Sequence, residues 1–250
     1  MRNVVLFQSA GPDRPPWIDA CMATVQHWAL TQGWHYRFLG DELFDTLQAD
    51  IRQKLDGRNP IKADIGRLDL LETCLNGPDA PDSVMWVDAD TLCIDATWAP
   101  DLSANSAFGE ECWVQQRQDK TWRRYLSPHN AYMSFNRGSP VLPFLRFAAR
   151  SIVGRIDEHH VAPQIVGPKL LKALHNLVPF TLQPQAGALS PALRDELLDA
   201  PGPAINCYRQ AQRTPLALVN LCQSLIDDNS TGAVLTLIDE PHRFEALSRS

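Results

Sequence analysis

The 250-residue sequence predicts an α/β fold in which a central sheet is flanked by helices. Short apolar runs of strand length alternate along the chain with stretches whose apolar residues recur every three or four positions, as in strands followed by amphipathic helices. The hydrophobic content of 44% allows a chain of this length to bury a full core. We therefore expect one domain over residues 1–250, with 1–100 and 101–250 as its two halves.

The first four elements follow from local pattern. Residues 4–8 form an apolar run that predicts a strand. Two prolines then introduce residues 17–31, whose apolar stripe predicts an amphipathic helix. Residues 34–39 predict a second strand, and the more polar stretch 41–55 predicts a helix. The order strand, helix, strand, helix is typical of an α/β sheet.

A further amphipathic helix is predicted over residues 61–75, where apolar residues recur at spacings of three and four. At about 100° per residue, Asp64 falls within the apolar arc and Arg67 at its margin. A carboxylate in that position needs a partner, because burying an unpaired charge is costly. Two interpretations remain open: an ion pair at the edge of the core, or two side chains that reach a polar ligand.

Four consecutive apolar residues, 84–87, predict a third strand that is buried on both faces. Asp88 and Asp90 follow it directly. Side chains at positions i and i+2 of an extended chain share a face, so we expect the two carboxylates side by side. Their repulsion is relieved by a divalent cation or a shared proton, which points to a hard-metal site. The alternative is that two aspartates merely end a strand.

The last third of the sequence gives weaker signals. Proline and glycine become frequent after about Leu182, so we expect an irregular C-terminal part rather than a second domain. Residues 231–239 are predicted to return to a strand.

Charge and cysteine usage restrict the class of protein. A net charge of −6, with no Lys/Arg-rich run, argues against nucleic-acid or general anionic-membrane binding. Six cysteines without a Cys-x-x-Cys pair indicate buried thiols in a reducing compartment. The N-terminus lacks a signal-peptide pattern, and no apolar stretch reaches the roughly 20 residues of a membrane span. We expect a cytoplasmic protein, with peripheral membrane contact left open.

Residues 62–67, Lys-Ala-Asp-Ile-Gly-Arg, together with the strand that ends in Asp88-Ala89-Asp90, resemble a known family. It is the Asp-X-Asp sugar-transferase group, which includes initiating mannosyltransferases, capsular polysaccharide transferases and bacterial glucosylating toxins. Its signature is an Ala-Asp-x-x-Arg helix, an apolar segment, often a Gly-Gly, and a strand ending in Asp-x-Asp. This chain has a longer, turn-rich link at residues 75–81 in place of the Gly-Gly. Weaker similarities lie at residues 4–8, 130–140 and 166–171.

The resemblance implies a GT-A-like fold and a metal-dependent glycosyltransferase. Such an enzyme moves a sugar from a UDP- or GDP-sugar to a glycan, a lipid-linked or another acceptor, with retention, for example in polysaccharide biosynthesis. Residues 1–100 would be the half that binds the nucleotide sugar, and 101–250 the acceptor-side half. The cofactor would be Mn²⁺ or Mg²⁺, because oxygen ligands suit both ions.

The resemblance also assigns roles to single residues. Asp90 would bind the metal, and Asp88 would be shared between the metal and the donor ribose, so that both act as catalytic residues. Asp64 and Arg67 would hold the ribose and the sugar.

Further donor-binding candidates are Gln8, at the end of the first strand, and Asn130. A third metal ligand is expected from the C-terminal part, where His242 is our candidate, with Asp239 behind it. The nearest approach to a basic cluster, at Arg117, Lys120 and Arg123-Arg124, is either a solvated loop or a contact for an anionic acceptor.

Two other classes of protein must be weighed. The sequence Asp88-Ala89-Asp90-Thr91 also matches the nucleophile motif of haloacid dehalogenase-like phosphatases, in which Asp88 would attack phosphate and Asp90 would be the acid/base. Lys169 and Asp227-Asp228 could complete that site. Against it, the motif normally follows the first strand of its domain, whereas two strand candidates precede it here. The third class is a non-catalytic module that binds sugar or metal.

Overall fold

A computed structural model of the protein describes residues 2–155, 162, 164–178, 180–212 and 214–248. The strands are β1 (Val4–Ser9), β2 (His35–Leu39), β3 (Ser83–Val87), β4 (Thr91–Cys93), β5 (Ser106–Gln116), β6 (Trp122–Asn136), β7 (Thr181–Gln183), β8 (Ala186–Ala188) and β9 (Leu218–Asn220). The α-helices are α1 (Pro16–Thr31), α2 (Ala49–Lys54), α3 (Asn59–Asn76), α4 (Val141–Arg155), α5 (Pro168–Leu174), α6 (Pro191–Leu198), α7 (Pro203–Arg209) and α8 (Thr231–Asp239).

The central sheet is mixed and has the strand order β2-β1-β3-β6-β5-β7. β1 pairs in parallel with β2 and β3, whereas β6 pairs antiparallel with both β3 and β5. β4, β9 and β8 form a second, smaller sheet. The carboxyl ends of the three parallel strands lie at one edge of the central sheet, which is where ligands bind in open α/β sheets. The predicted α/β fold, with a central sheet flanked by helices, is confirmed.

β3 is buried on both faces, as its run of apolar residues predicted. Val84 and Trp86 pack into the core that contains α3 and α4, whereas Met85 and Val87 pack into the core that contains α1. This division follows from the alternation of side chains along a strand. It also points Trp86 toward α3, the helix that carries Asp64 and Arg67.

Residues 41–55 differ from the single predicted helix. They form a 3₁₀ helix, Asp41–Thr46, and then α2, with extended backbone at Leu47 and Gln48 between them. The bend keeps the apolar residues of both pieces in one core with α3. Tertiary packing therefore shapes this segment more than helix propensity does.

The C-terminal part is more regular than expected. After Leu182 it contains β8, β9 and the helices α6, α7 and α8, which enclose a core of their own with α1. The predicted strand over 231–239 is wrong, because these residues form α8. Val234 and Leu237 are buried while Leu235 is 42% exposed, so the helical period outweighs the local β propensity.

Two further predictions concern the chain as a whole. All six cysteines are free thiols, and Cys21, Cys112 and Cys207 are buried. Over the described ranges, no helix combines the length and the apolar character that crossing a membrane requires.

Candidate active site

A cleft of about 750 Å³ opens where β1 and β3 end. Ser9 and Ala10 line it at the end of β1, and Asp88, Ala89 and Asp90 line it beyond β3. Its volume is within the range of small-molecule sites. The position agrees with the site that the sequence predicted at Asp88 and Asp90, directly after the third strand.

Asp88 and Asp90 lie in a turn rather than in the strand. The backbone N–H of Thr91 donates to the carbonyl of Asp88 at 3.1 Å, and the N–H of Asp88 donates to the carbonyl of Ala131 at 2.8 Å. The predicted extended geometry of the pair is therefore wrong. The two carboxylates are neighbours nonetheless, because the turn brings them together, and the charge of Asp88 contributes to the raised pKa of Asp90.

Asp88 is held through one of its two carboxylate oxygens. Arg67 Nη1 donates to Asp88 Oδ1 at 2.8 Å, and Trp86 Nε1 donates to the same atom at 2.6 Å. Oδ2 has no hydrogen-bond partner among the residues described. One oxygen thus fixes the orientation of the side chain, and the other is available to a ligand.

Arg67 is the buried centre of this network. It forms an ion pair with Asp64, donates to the carbonyl of Asn130 at 3.0 Å, and has its guanidinium carbon 5.4 Å from the centre of the Trp86 ring. Burial acts to lower the pKa of Arg67, but the carboxylates of Asp88 and Asp64 outweigh it and hold the pKa above its usual value. The guanidinium is therefore charged and fixed in place.

Asp64 and Asn130 form a second layer beneath Asp88. Asn130 Nδ2 donates to Asp64 Oδ1 at 2.8 Å, and both residues also line the cleft. Gly167, just before α5, packs directly against them, since a Cβ there would lie 2.7 Å from both Asn130 Nδ2 and Asp64 Oδ2. Asp64 and Arg67 form the ion pair of the first interpretation, and both line the cleft. The second interpretation, contact with a polar ligand, stays a prediction.

Asp90 is held from the second sheet. Asn220 Nδ2 donates to Asp90 Oδ1 at 2.6 Å, and the backbone N–H of Gln223 donates to Oδ2 at 2.8 Å. Burial, and then the charge of Asp88, raise the pKa of Asp90 to about 6, and the two hydrogen bonds oppose this rise. Sequence reasoning missed Asn220 and Gln223. The available signal was that the apolar run 216–219 ends at Asn220 as the run 84–87 ends at Asp88.

The charges of this network are unbalanced. Three carboxylates, Asp64, Asp88 and Asp90, share one guanidinium, that of Arg67, and the surplus negative charge faces the cleft. Such a surplus with oxygen donors suits Mg²⁺ or Mn²⁺, which keep waters and ligand phosphates for much of their coordination. Within the described part of the chain, no group of three His, Cys, Asp or Glu side chains could hold a metal. The residues therefore fit an ion that is shared with a ligand.

Two predicted site residues, Gln8 and His242, do not line the cleft. Gln8 is fully buried, where its Nε2 donates to the carbonyl of Asp88 at 3.2 Å and its Oε1 accepts from the Tyr36 hydroxyl at 3.0 Å. Since Gln8 does not line the cleft, its predicted donor contact is corrected to a role in positioning the Asp88 turn.

The structure does not bring His242 to Asp88 and Asp90. His242 is exposed at the start of a 3₁₀ helix, Pro241–Leu247, and it does not line the cleft. That helix is anchored by the buried Phe244 and Leu247, which turn the His242 side chain toward solvent. Asp239 is exposed as well.

The residues of the phosphatase alternative are not brought together either. Lys169, Asp227 and Asp228 are exposed, and none of them lines the cleft. Asp227 instead accepts from the backbone N–H of Ser230 at 2.9 Å, just before α8. Of that constellation, only Asp88 and Asp90 lie together in the cleft.

A further wall of the cleft was not predicted. Glu111 and Trp113, two positions apart on β5, line it together with His129 of β6. Burial raises the pKa of Glu111 to about 7, although Lys172 acts in the opposite direction. The ring of His129 lies 2.8 Å from the carbonyl of Ala186, and burial lowers its pKa.

The ladder between β5 and β6 is interrupted beside this wall. Phe108 pairs with Met133, but the next residue of β5, Gly109, pairs with His129. Residues 130–132 of β6 are therefore extra relative to β5, which is a bulge. The bulge includes Asn130 and Ala131, whose carbonyls accept from Arg67 and Asp88.

Solved structures share the α/β fold of this mixed sheet. A glycosyltransferase involved in the glycosylation of the major capsid of PBCV-1 aligns over 98% of both chains, with a TM-score of 0.51 and 10% identity. The galactosyltransferase LgtC, in complex with donor and acceptor sugar analogues, aligns over 95% of both chains, with a TM-score of 0.48 and 13% identity. No protein-family model and no curated protein matches the chain. The first alignment confirms the GT-A-like fold. The function is inferred from the cleft.

Proposed function

We propose that the protein is a glycosyltransferase that uses a UDP- or GDP-sugar and a Mn²⁺ or Mg²⁺ ion. The acceptor is a glycan, a lipid-linked or another molecule, and the sugar is transferred with retention, as the family resemblance implies. One observation carries the proposal: the Asp88–Asp90 turn lines a cleft of about 750 Å³ and brings more negative charge to it than Arg67 neutralises. The likeness to a solved glycosyltransferase fold supports it.

The carboxylates of Asp88 and Asp90 would hold the divalent ion. When bound, the ion supplies Lewis-acid stabilisation for the charge that develops on the leaving diphosphate. Asn220 and Gln223 hold one oxygen each of Asp90, and because they donate to the ionised form they keep the carboxylate charged despite its burial. They fix the position of Asp90 before any ligand arrives.

Arg67, Asp64 and Trp86 position Asp88. Their contacts leave Asp88 Oδ2 directed to an incoming hydroxyl, such as that of a donor ribose. Asp64 and Asn130 present polar atoms to the same cleft for the hydroxyls of the donor. Orientation of the donor before reaction is a large part of what such a site contributes to the rate.

The two halves of the chain contribute different walls in this proposal. Residues 1–100 supply Asp64, Arg67, Asp88 and Asp90 and bind the nucleotide sugar. Residues 101–250 supply Glu111 and Trp113 on the acceptor side, and also Asn220, which supports the donor side.

Thermal unfolding with Mn²⁺ and a panel of UDP- and GDP-sugars tests the proposal. We expect one donor, together with Mn²⁺, to raise the Tm, and Asp90→Asn to abolish that rise. Asp79→Asn is the matched control, because Asp79 is an exposed aspartate without a hydrogen-bond partner among the described residues. The absence of a response to every donor would contradict the proposal.

Turnover separates the enzyme from the alternatives. Slow, Mn²⁺-dependent hydrolysis of the donor is expected, and NMR of the released sugar reports its anomeric configuration and therefore tests retention. A binding module would give the Tm rise without hydrolysis. A phosphatase would hydrolyse simple phosphate esters and accumulate a phosphoaspartate at Asp88.

A further inference from the structure

The hairpin formed by β5 and β6 extends beyond the central sheet. From Gln115 to Leu126 every residue is exposed except the partly buried Trp122. Trp122 packs against the C-terminal core, to which the buried Cys112 and Val114 of β5 also belong. One face of the hairpin is therefore anchored to the protein, and the other face is free.

The free face continues the wall of the cleft. In the antiparallel ladder Trp113 pairs with Tyr125, and Gln115 pairs with Arg123. Residues directly opposite each other share a face of the sheet, as do residues two positions apart on one strand. Since Glu111 and Trp113 line the cleft, Tyr125, Gln115 and Arg123 extend the same surface outward. We call this surface the hairpin face, defined by Glu111, Trp113, Gln115, Arg123 and Tyr125.

The chemistry of the hairpin face suits a charged carbohydrate. Trp113 and Tyr125 lie side by side, and Tyr125 is 43% exposed. Such rings give a rigid apolar contact at low entropic cost and keep a polar edge, which matches the mixed surface of a sugar ring. Arg123 is exposed and makes no hydrogen bond among the described residues, and its charge acts on the nearby Asp119. Its guanidinium can hold a carboxylate or phosphate group with two parallel hydrogen bonds.

The charge around this surface favours an anionic occupant. Residues 115–126 contain four cations and a single acidic residue, Asp119, in a chain whose net charge is −6. From Glu111 to Gln115 the strand rises by about 13 Å, at roughly 3.3 Å per residue. The face is therefore longer than one sugar ring and leads directly into the cleft.

We propose that the acceptor is an oligosaccharide carrying carboxylate or phosphate groups, which docks on the hairpin face with its reactive end toward Glu111. This inference rests on the proposed function. Trp113 and Tyr125 pack against successive sugar rings, and Arg123 binds an anionic substituent farther along the chain. An acceptor glycan must reach the cleft, whereas contact with an anionic membrane needs no connection to it. Because the hairpin face is continuous with the cleft, a glycan is favoured.

Arg123→Gln and Arg124→Gln form a matched pair of variants for the test. The two positions are adjacent and carry the same charge. Arg124 pairs with the buried Val114 and donates to Gln210 Oε1 at 3.1 Å, so it lies on the anchored face. The probes are oligogalacturonate as the carboxylated oligosaccharide, maltohexaose as a neutral one, and vesicles of phosphatidylserine and phosphatidylcholine. Binding is followed by tryptophan fluorescence without donor or metal.

We expect oligogalacturonate to bind, Arg123→Gln to weaken that binding about tenfold, as for the loss of one charge-assisted contact, and Arg124→Gln to change it by less than twofold. Tyr125→Ala should weaken it as well. Equal losses in both arginine variants, equal binding of maltohexaose, or binding to vesicles alone would each overturn the proposal. Absence of oligosaccharide binding alongside a normal donor-induced rise in Tm refutes this inference alone. Oligosaccharide binding without any donor-induced rise contradicts the proposed function, and with it the acceptor role, but leaves a glycan site on the hairpin face.

Discussion

Gly167 limits how closely the start of α5 approaches the buried Asp64–Asn130 pair, so one methyl group at this position probes the geometry of the site. In Gly167→Ala the new Cβ would lie 2.7 Å from Asn130 Nδ2 and from Asp64 Oδ2. Both contacts are to polar side-chain atoms of the site, and the backbone φ of −105° lies outside the left-handed region. The two close contacts give the variant a steric cost.

The size of the effect follows from the surroundings. Asp64 and Asn130 are 6% and 8% exposed, so neither side chain can move freely out of the way. Overpacking of a buried position costs about 1–3 kcal/mol, and loss of the hydrogen bond from Asn130 to the charged Asp64 costs about 1.5–3 kcal/mol. Because the two costs overlap, we expect a loss of roughly 2–4 kcal/mol in the free energy of unfolding, or roughly 5–15 °C in Tm.

Urea denaturation and thermal unfolding measure this loss, and donor binding measures its functional consequence. Gly154→Ala is the control, because Gly154 lies in α4 with nothing within 4 Å of a new Cβ. Alanine there should leave the protein as stable as the wild type or stabilise it by up to about 1 kcal/mol. A Gly167→Ala variant that matched the wild type in stability and in donor-induced Tm rise would refute the described packing.

Three other predictions concern charge. Burial raises the pKa of Glu111 from its ordinary 4.5 to about 7, so the folded state holds this proton more tightly than the unfolded state. Wild-type stability should therefore decline relative to Glu111→Gln as pH rises from 4.5 to 7, and urea denaturation at pH 5 and pH 8 measures the difference. Asp69, which is 3% exposed, pairs with two arginines of α4, so Asp69→Asn should lower the free energy of unfolding by roughly 2–3 kcal/mol in the same assay. In calorimetric titration with Mn²⁺ and the donor, the His242→Ala variant should bind and the Asp90→Asn variant should not. Equal loss of binding in both variants would show that His242 is a metal ligand after all.

The parts of the site that the sequence predicted are those encoded locally. The run of four apolar residues at 84–87 predicted β3 to within one residue. A strand buried on both faces is a continuous apolar run, so it can be identified without knowing its neighbouring strands. Asp64 and Arg67 stood out because each lies on or beside the apolar arc of one helix. In both cases two local signals were sufficient: the spacing of the apolar residues, and the position of a polar residue that interrupts or ends them.

The parts that escaped prediction depend on contacts between distant segments. Asn220 reaches Asp90 because β9 pairs with β4, and nothing near residue 220 indicates which strand it will join. Gln8 has the expected place at the end of β1, but pairing on both sides of that strand turns its side chain into the core. His242 was selected by analogy of position, and the burial of Phe244 decides its orientation instead.

The bulge of residues 130–132 determines which side chains of the outer part of β6 lie on each face of the hairpin. Side chains alternate with a period of two, and the bulge adds an odd number of residues, so it exchanges the two faces of β6 for the whole stretch beyond it. In an unbroken ladder Leu126, rather than Tyr125, would share a face with Trp113 and Gln115. The composition of a surface more than ten ångströms away, at about 3.3 Å per residue of strand, is therefore decided by the backbone at 130–132 as well as by the residues in that surface.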